Sequence, residues 1–77
     1  MRRIKMQRVL VVEDHEGREK QYFFPGETVR IEAWNGSWHK GTITGVNNDA
    51  LILYGRNGKD FYVKFRDIDH IKKERWI

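Results

Sequence analysis

Residues Val29 to Leu53, VRIEAWNGSWHKGTITGVNNDALIL, leave this chain few ways to fold. Apolar and polar residues alternate up to Asn35-Gly36, a pair that tolerates positive φ and is the strongest short hairpin signal. It predicts a two-residue type I′ turn between two strands. Asn47-Asn48-Asp49 predicts a second turn, leading into a third strand at Leu51-Ile52-Leu53. Gly36, Gly41 and Gly45 mark where the second of these strands must bend or lie close to another backbone. A strand bent in that way belongs to a small, strongly curved barrel.

The rest of the chain extends the same pattern. Gln7 to Glu13 reads as a first strand, and its unbroken Val9-Leu10-Val11-Val12 run predicts burial on both faces, or of one face against a neighbouring subunit. Asp14-His15-Glu16-Gly17 is a polar turn, and Lys20 to Phe24 completes an N-terminal hairpin. Phe24-Pro25-Gly26-Glu27 then forms a tight loop, with Pro fixing φ and Gly allowing the turn.

From Thr28 the alternation sends Val29, Ile31 and Ala33 inward and Arg30, Glu32 and Trp34 outward. Ile43, Leu51 and Leu53 face the core, leaving Ile52 and Tyr54 on the other side. Gly55-Arg56-Asn57-Gly58-Lys59 is a further hairpin loop, after which Phe61, Val63 and Phe65 alternate with Tyr62, Lys64 and Arg66. Ile68 and Ile71, three apart, predict one short 3₁₀ or helical turn plugging the barrel end. No segment carries the 3.6-residue periodicity of a ten-residue helix. The expectation is an all-β domain: five to six short strands closed into an SH3-like or OB-like barrel, preceded by a β-hairpin.

A chain of 77 residues makes one domain, burying only about 60% of its unfolded surface. Residues 1–6 read as a basic leader and 7–77 as the domain, with the hairpin over 7–24 and the barrel core over 28–71. There is no cysteine, so neither a disulfide nor a thiolate-held metal staples it. The apolar run Val9 to Val12 is too short for a signal-peptide core or a membrane span, which points to a soluble, cytoplasmic protein. The net charge of +4 is unevenly placed. Residues 1–8 contribute +4, residues 9–36 contribute −3 and residues 37–77 contribute +3. A basic leader and a basic second half suit a polyanion, whose condensed counterions Lys and Arg displace. An ordinary soluble surface fits the same figures.

Val29 to Ile71 resembles the Sm-like family of small barrels in the broad sense that includes Sm, Hfq and the YolD-like proteins. Val29-x-Ile31, Gly36, Gly41, Ile43, the Asn47-Asn48-Asp49 turn and Leu51-Ile52-Leu53 match its first motif. Phe61-x-Val63-x-Phe65, Arg66-Asp67, Ile68 and Ile71 match its second, in phrasing closest to the YolD-like branch. The resemblance covers a little over half the chain. It implies RNA as the ligand and a ring-forming homo-oligomer, with RNA contacts at Asn47 and Arg66 and with Asn48 as a neighbour able to substitute. The chain departs from the family in four places. A hairpin replaces the N-terminal helix, Asn47 and Ala50 stand in for the family's Asp and Asn, Arg66-Asp67 replaces Arg-Gly, and the Tyr-Lys-His triplet of Hfq is absent.

The residues also outline a site without the family. Trp34, Tyr54 and Tyr62 point away from the barrel centre, interleaved with Arg56, Lys59, Lys64 and Arg66, and Trp38 and His39 flank the bent strand. Aromatics beside Arg and Lys on a β-face are how small β-domains stack bases while holding phosphates. Two other readings stay open for these aromatics: packing beneath the N-terminal hairpin, or a subunit interface. The histidines are scattered, Asp67-x-Asp69-His70 has no second cluster to complete a metal site, and no nucleophile–base pair is evident. No enzyme, metal or cofactor is expected. Two functions follow. One is a nucleic-acid-binding barrel, for RNA, using Asn47, Asn48, Arg56, Lys59, Tyr62, Lys64 and Arg66 with contacts at Trp34, Trp38 and Tyr54. The other is a protein-interaction module, a small regulator or adaptor acting through a β-edge or the aromatic patch.

Overall fold

A computed structural model describes residues 8–13 and 16–74. The basic leader at 1–6, part of the Asp14–Gly17 turn and the end of the tail lie outside the described residues. The chain is all-β and forms two antiparallel sheets. Strands β1 (Leu10–Glu13) and β2 (Lys20–Phe23) make the N-terminal hairpin. Strands β3 (Thr28–Ala33), β4 (Trp38–Val46), β5 (Ala50–Tyr54), β6 (Asp60–Lys64) and β7 (Ile68–Lys73) make a five-stranded sheet in the order β6-β5-β4-β3-β7. One 3₁₀ turn, Phe65–Asp67, joins β6 to β7.

The core follows from the period-2 alternation. Val29, Ile31 and Ala33 of β3, Ile43 of β4, Leu51 and Leu53 of β5, Val63 of β6 and Ile71 of β7 are buried. Each Val, Ile or Leu among them, taken fully out of water, contributes about 1.5–3 kcal/mol. Phe23 joins them from the hairpin and is fully buried, while its neighbour Phe24 is exposed. Among the described residues no polar or charged side chain is buried, so any ligand chemistry lies on the surface.

Four expectations need correction. The Asn35-Gly36 hairpin is not a two-residue type I′ turn. Ala33 N–H donates to Ser37 C=O at 2.9 Å and Gly36 N–H to Ala33 C=O at 2.9 Å, closing a three-residue loop. Only Gly36, at φ +86°, takes the left-handed region there; Asn35 does not. Asn35 instead turns its Oδ1 to the N–H of Ser37, at 3.0 Å, which holds the loop from inside.

The run Val9 to Val12 is not buried on both faces. Val11 is exposed, and Leu10 and Val12 pack against the core from one side of the hairpin. A two-stranded sheet has only one face to lay on a core, so the other stays wet.

Ile68 and Ile71 do not sit in a helical turn. The 3₁₀ turn precedes them, and both lie in β7, where Ala33 pairs with Ile68 and Glu32 with His70. That register shift leaves Asp69 as an extra residue, and the bulge brings two positions three apart to the same side. The fourth correction concerns the aromatics, which do not pack beneath the N-terminal hairpin. The hairpin lies along β7 and the 3₁₀ turn, over a groove lined by Leu10, Val12, Phe65, Ile68 and Ile71. Trp34, Trp38, Tyr54 and Tyr62 are all exposed.

Strand β4 carries the sheet around its bend. Its first half pairs with β3 (Glu32 opposite Trp38, Thr28 opposite Thr42), and from Thr42 onward it pairs with β5. A bulge between Ile43 and Gly45 marks the corner. Gly41, just before the corner, admits no side chain. A Cβ there would stand 2.8 Å from the Tyr54 carbonyl oxygen and 3.1 Å from Leu53 Cβ.

Candidate functional site

Because β4 divides itself between β3 and β5, a seam is left between the β3–β4 hairpin and strand β6. Two clefts lie along it. The first, of about 480 Å³, is walled by the β3–β4 loop (Trp34, Asn35, Ser37) on one side and by Tyr62, Lys64 and Arg66 on the other. Its aromatics are the most exposed large hydrophobic residues among those described, Trp34 at 70% and Tyr62 at 64%. Two backbone bonds fix the far wall. Trp34 N–H donates to Asp67 C=O at 3.1 Å, tying the loop to the 3₁₀ turn that carries Arg66. Phe65 N–H donates to Asp49 C=O at 2.9 Å, tying that turn to the β4–β5 connection. Tyr62 and Lys64 sit on β6 opposite Ile52 and Ala50, so a rigid sheet holds them.

Electrostatically this cleft combines the ammonium of Lys64 and the guanidinium of Arg66 with one carboxylate, that of Asp67. Two rings and two cations around one opening offer stacking planes and anion donors together. Lys64 and Arg66 are exposed, so their charge acts at short range and is screened by salt.

The second cleft, of about 510 Å³, opens between Trp38–Thr42 on β4 and the Tyr54–Asn57 end of the β5–β6 connection. It holds Trp38, Tyr54 and Arg56 from the predicted set, together with Lys40. Trp38 carries the guanidinium of Arg30 at 3.7 Å from its ring centre, a cation–π contact. The β5–β6 loop repeats the β3–β4 loop. Gly55 N–H donates to Lys59 C=O, Gly58 takes φ +77°, and Asn57 Oδ1 accepts from Lys59 N–H. Lys59 therefore stands at a well-defined hairpin, but lines neither cleft.

Asn47 and Asn48 also line neither cleft. Asn47 Oδ1 accepts N–H groups from Asp49 at 2.8 Å and Ala50 at 2.7 Å, so it is occupied with closing the β4–β5 turn. Asn48 Oδ1 accepts from Arg8 Nη1 at 3.1 Å. The structure thus divides the predicted residues three ways. Trp34, Tyr62, Lys64 and Arg66 come together, Trp38, Tyr54 and Arg56 form a second group, and Asn47, Asn48 and Lys59 stand apart.

Residues absent from the predicted set also belong to these walls. His39 lines both clefts, its ring 6.1 Å from that of Phe61. Arg30 and Lys40 are directly opposite each other on β3 and β4. That pairing depends on the three-residue loop. A two-residue turn at Asn35-Gly36 would have set Lys40 opposite Ile31 and hidden it.

One carboxylate outside both clefts is perturbed. Glu27 accepts the Phe24 N–H at 2.7 Å and pairs with Lys73 at 3.0 Å. First that backbone hydrogen bond and then the Lys73 ammonium lower its pKa below the usual glutamate value. Both contacts lie at the Phe24–Glu27 turn, where Gly26 takes φ +94°, so they secure a loop rather than arm a catalyst. Among the described residues no three His, Asp or Glu side chains gather as a metal site, and no helix is long and apolar enough to cross a membrane. No protein-family model, curated protein or solved structure matches this chain.

Proposed function

We propose that this chain is a small β-barrel of the SH3-like or Sm-like kind that binds single-stranded nucleic acid, RNA in particular, in the first cleft. The observation that carries the reading is the exposure of Trp34 and Tyr62 at one opening beside Lys64 and Arg66. Exposing two large rings gives up burial that a small domain needs, and a stacking ligand returns it. Lys64 and Arg66 hold the phosphates, and Trp34 and Tyr62 receive bases on their faces. The curl of the sheet about β4 and the 3₁₀ turn between β6 and β7 support the barrel.

The test is a titration of a labelled single-stranded RNA dodecamer followed by fluorescence anisotropy over a range of salt. The expected result is saturable binding whose log K falls linearly with log salt, at about −0.7 per phosphate engaged. Absent binding at low salt, or binding indifferent to salt, contradicts it.

A second reading rests on a different observation. Among the described residues, β6 and β7 end the sheet with one edge of each unpaired. Unpaired edges are templates for another strand, which suits a homo-oligomer or an adaptor that adds a partner's strand. Light scattering separates the two readings. A stoichiometric protein complex free of nucleic acid favours the adaptor.

A further inference from the structure

We propose that the bound strand continues out of the first cleft, over His39, into the second, where Trp38 and Tyr54 receive further bases and Arg56, Lys40 and Arg30 receive further phosphates. This rests on the nucleic-acid reading of the first cleft and adds a length to it: the site is a track for several nucleotides.

Three observations point that way. The first is continuity. His39 is a wall of both clefts, and the walls advance in step, from Ser37 to Thr42 along β4 while β6 runs back from Lys64 to Phe61. The two openings are therefore successive stations along one seam, of closely similar volume at about 480 and 510 Å³.

The second is charge. The walls of the second cleft include Lys40 and Arg56 and no carboxylate, whereas Asp67 partly offsets the first. With Asp67 set against Lys64 and Arg66, and Glu74 against Lys40, both stations of the seam keep a cationic surplus for an anionic strand.

The third is a row of like charges beside the second cleft. Arg30 stands opposite Lys40 on one side and opposite Lys72 on the other. Like charges directly across a sheet destabilise it, so the row weakens the fold unless an anion joins it. Glu74 supplies part of one, with Oε2 3.1 Å from Lys40 Nζ and Oε1 3.9 Å from Arg30 Nη1. Its Oε2 is shielded from solvent yet makes no hydrogen bond of good geometry. A carboxylate so placed marks where a phosphate bridges Arg30 and Lys40 in exchange for the Glu74 ion pair. Glu74 is an internal competitor for the strand.

The test measures affinity for single-stranded RNAs from dinucleotide to dodecamer, on the wild type and on Arg56→Ala, Lys40→Ala and Glu74→Gln. Wild-type affinity rises with length. Arg56→Ala and Lys40→Ala weaken dodecamer binding roughly three- to tenfold, each lowering the salt slope by about 0.7, and leave the dinucleotide unchanged. Glu74→Gln tightens the dodecamer, whereas Glu16→Gln on the hairpin does not. Arg56 sits on an exposed loop, so its variant keeps the fold if Lys40→Ala does not. Dodecamer binding indifferent to Arg56 and Glu74 overturns the continuation while leaving the first cleft standing. No binding at any length overturns both.

Discussion

Asn47 Oδ1 lies 2.7 Å from the backbone nitrogen of Ala50 and accepts its hydrogen, with Asp49 N–H donating to the same oxygen at 2.8 Å. Asn47 N–H in turn donates to Ala50 C=O at 3.0 Å, so side chain and backbone close one turn from both sides. Short polar side chains do this wherever a hairpin must turn without positive φ, and among the described residues only glycines have positive φ. Asn47→Ala strands two donors at a partly buried connection. A loss of about 1–2 kcal/mol in unfolding free energy is expected in urea denaturation, with RNA affinity changed less than twofold. An Asn47→Ala protein of wild-type stability and lost affinity reverses the assignment.

Gly41 makes a sharper demand. Its missing Cβ would sit 2.8 Å from the Tyr54 carbonyl oxygen, a backbone atom that cannot swing aside. Gly41→Ala therefore pushes β4 from β5 at the corner of the sheet and costs about 1–3 kcal/mol, read as a lowered melting temperature. Gly45→Ala is the comparison, since its Cβ meets only Ile52 Cδ1 at 3.6 Å, an ordinary contact. Equal effects of the two would remove close approach as the reason for Gly41.

The strands of the main sheet were legible because one face of each is buried and the other is wet. Val29, Ile31, Leu51, Leu53 and Val63 declare themselves by alternation alone. What alternation does not carry is register. Gly36 takes the left-handed region by itself and adds a residue to the loop, and that shift decides that Arg30 faces Lys40. Ile68 and Ile71 mislead for a related reason, since a bulge at Asp69 imitates helical spacing within a strand. At the candidate site, Trp34, Tyr62, Lys64 and Arg66 were readable as outward residues of neighbouring segments. His39 was readable only as a neighbour of the bent strand, because it shares the inward parity of Ile31 and becomes a cleft wall only where β4 leaves β5. Asn47 entered the candidate set through the family resemblance, and its letter does not reveal that its Oδ1 also closes the β4–β5 turn.

Acid weakens the fold through Glu27. Its folded pKa lies below its unfolded value, so the ionised form is favoured by folding. That contribution is complete above the ordinary glutamate value of about 4.3 and is lost as the pH falls through the lowered folded value. Thermal melts from neutral pH downward should show a falling midpoint in that acidic window. Glu27→Gln keeps a carbonyl for the Phe24 N–H but removes the charge facing Lys73, and flattens that limb. An unchanged acid limb in Glu27→Gln places the titration on other carboxylates.

Trp34 separates binding from stability. At 70% exposure its ring contributes little to the core, so Trp34→Ala changes unfolding free energy by no more than about 0.5 kcal/mol. Loss of a stacking plane weakens RNA binding by about 1–3 kcal/mol, measured by anisotropy against wild type at one salt concentration. A destabilised Trp34→Ala with unaltered affinity assigns the ring to packing.

If the basic and aromatic opening between the β3–β4 loop and β6 holds a phosphate backbone, binding depends on the cations of that opening and not on cations elsewhere. The direct measurement is the affinity of a single-stranded RNA dodecamer for Lys64→Ala/Arg66→Ala and for Arg18→Ala/Lys20→Ala, two variants of equal net charge. The first removes both cations of the cleft, and the second removes two from the N-terminal hairpin. The cleft variant is expected to lose about tenfold or more in affinity and about 1.4 in salt slope, while the hairpin variant stays within twofold of wild type. Equal losses in the two variants, or none in either, contradict that dependence.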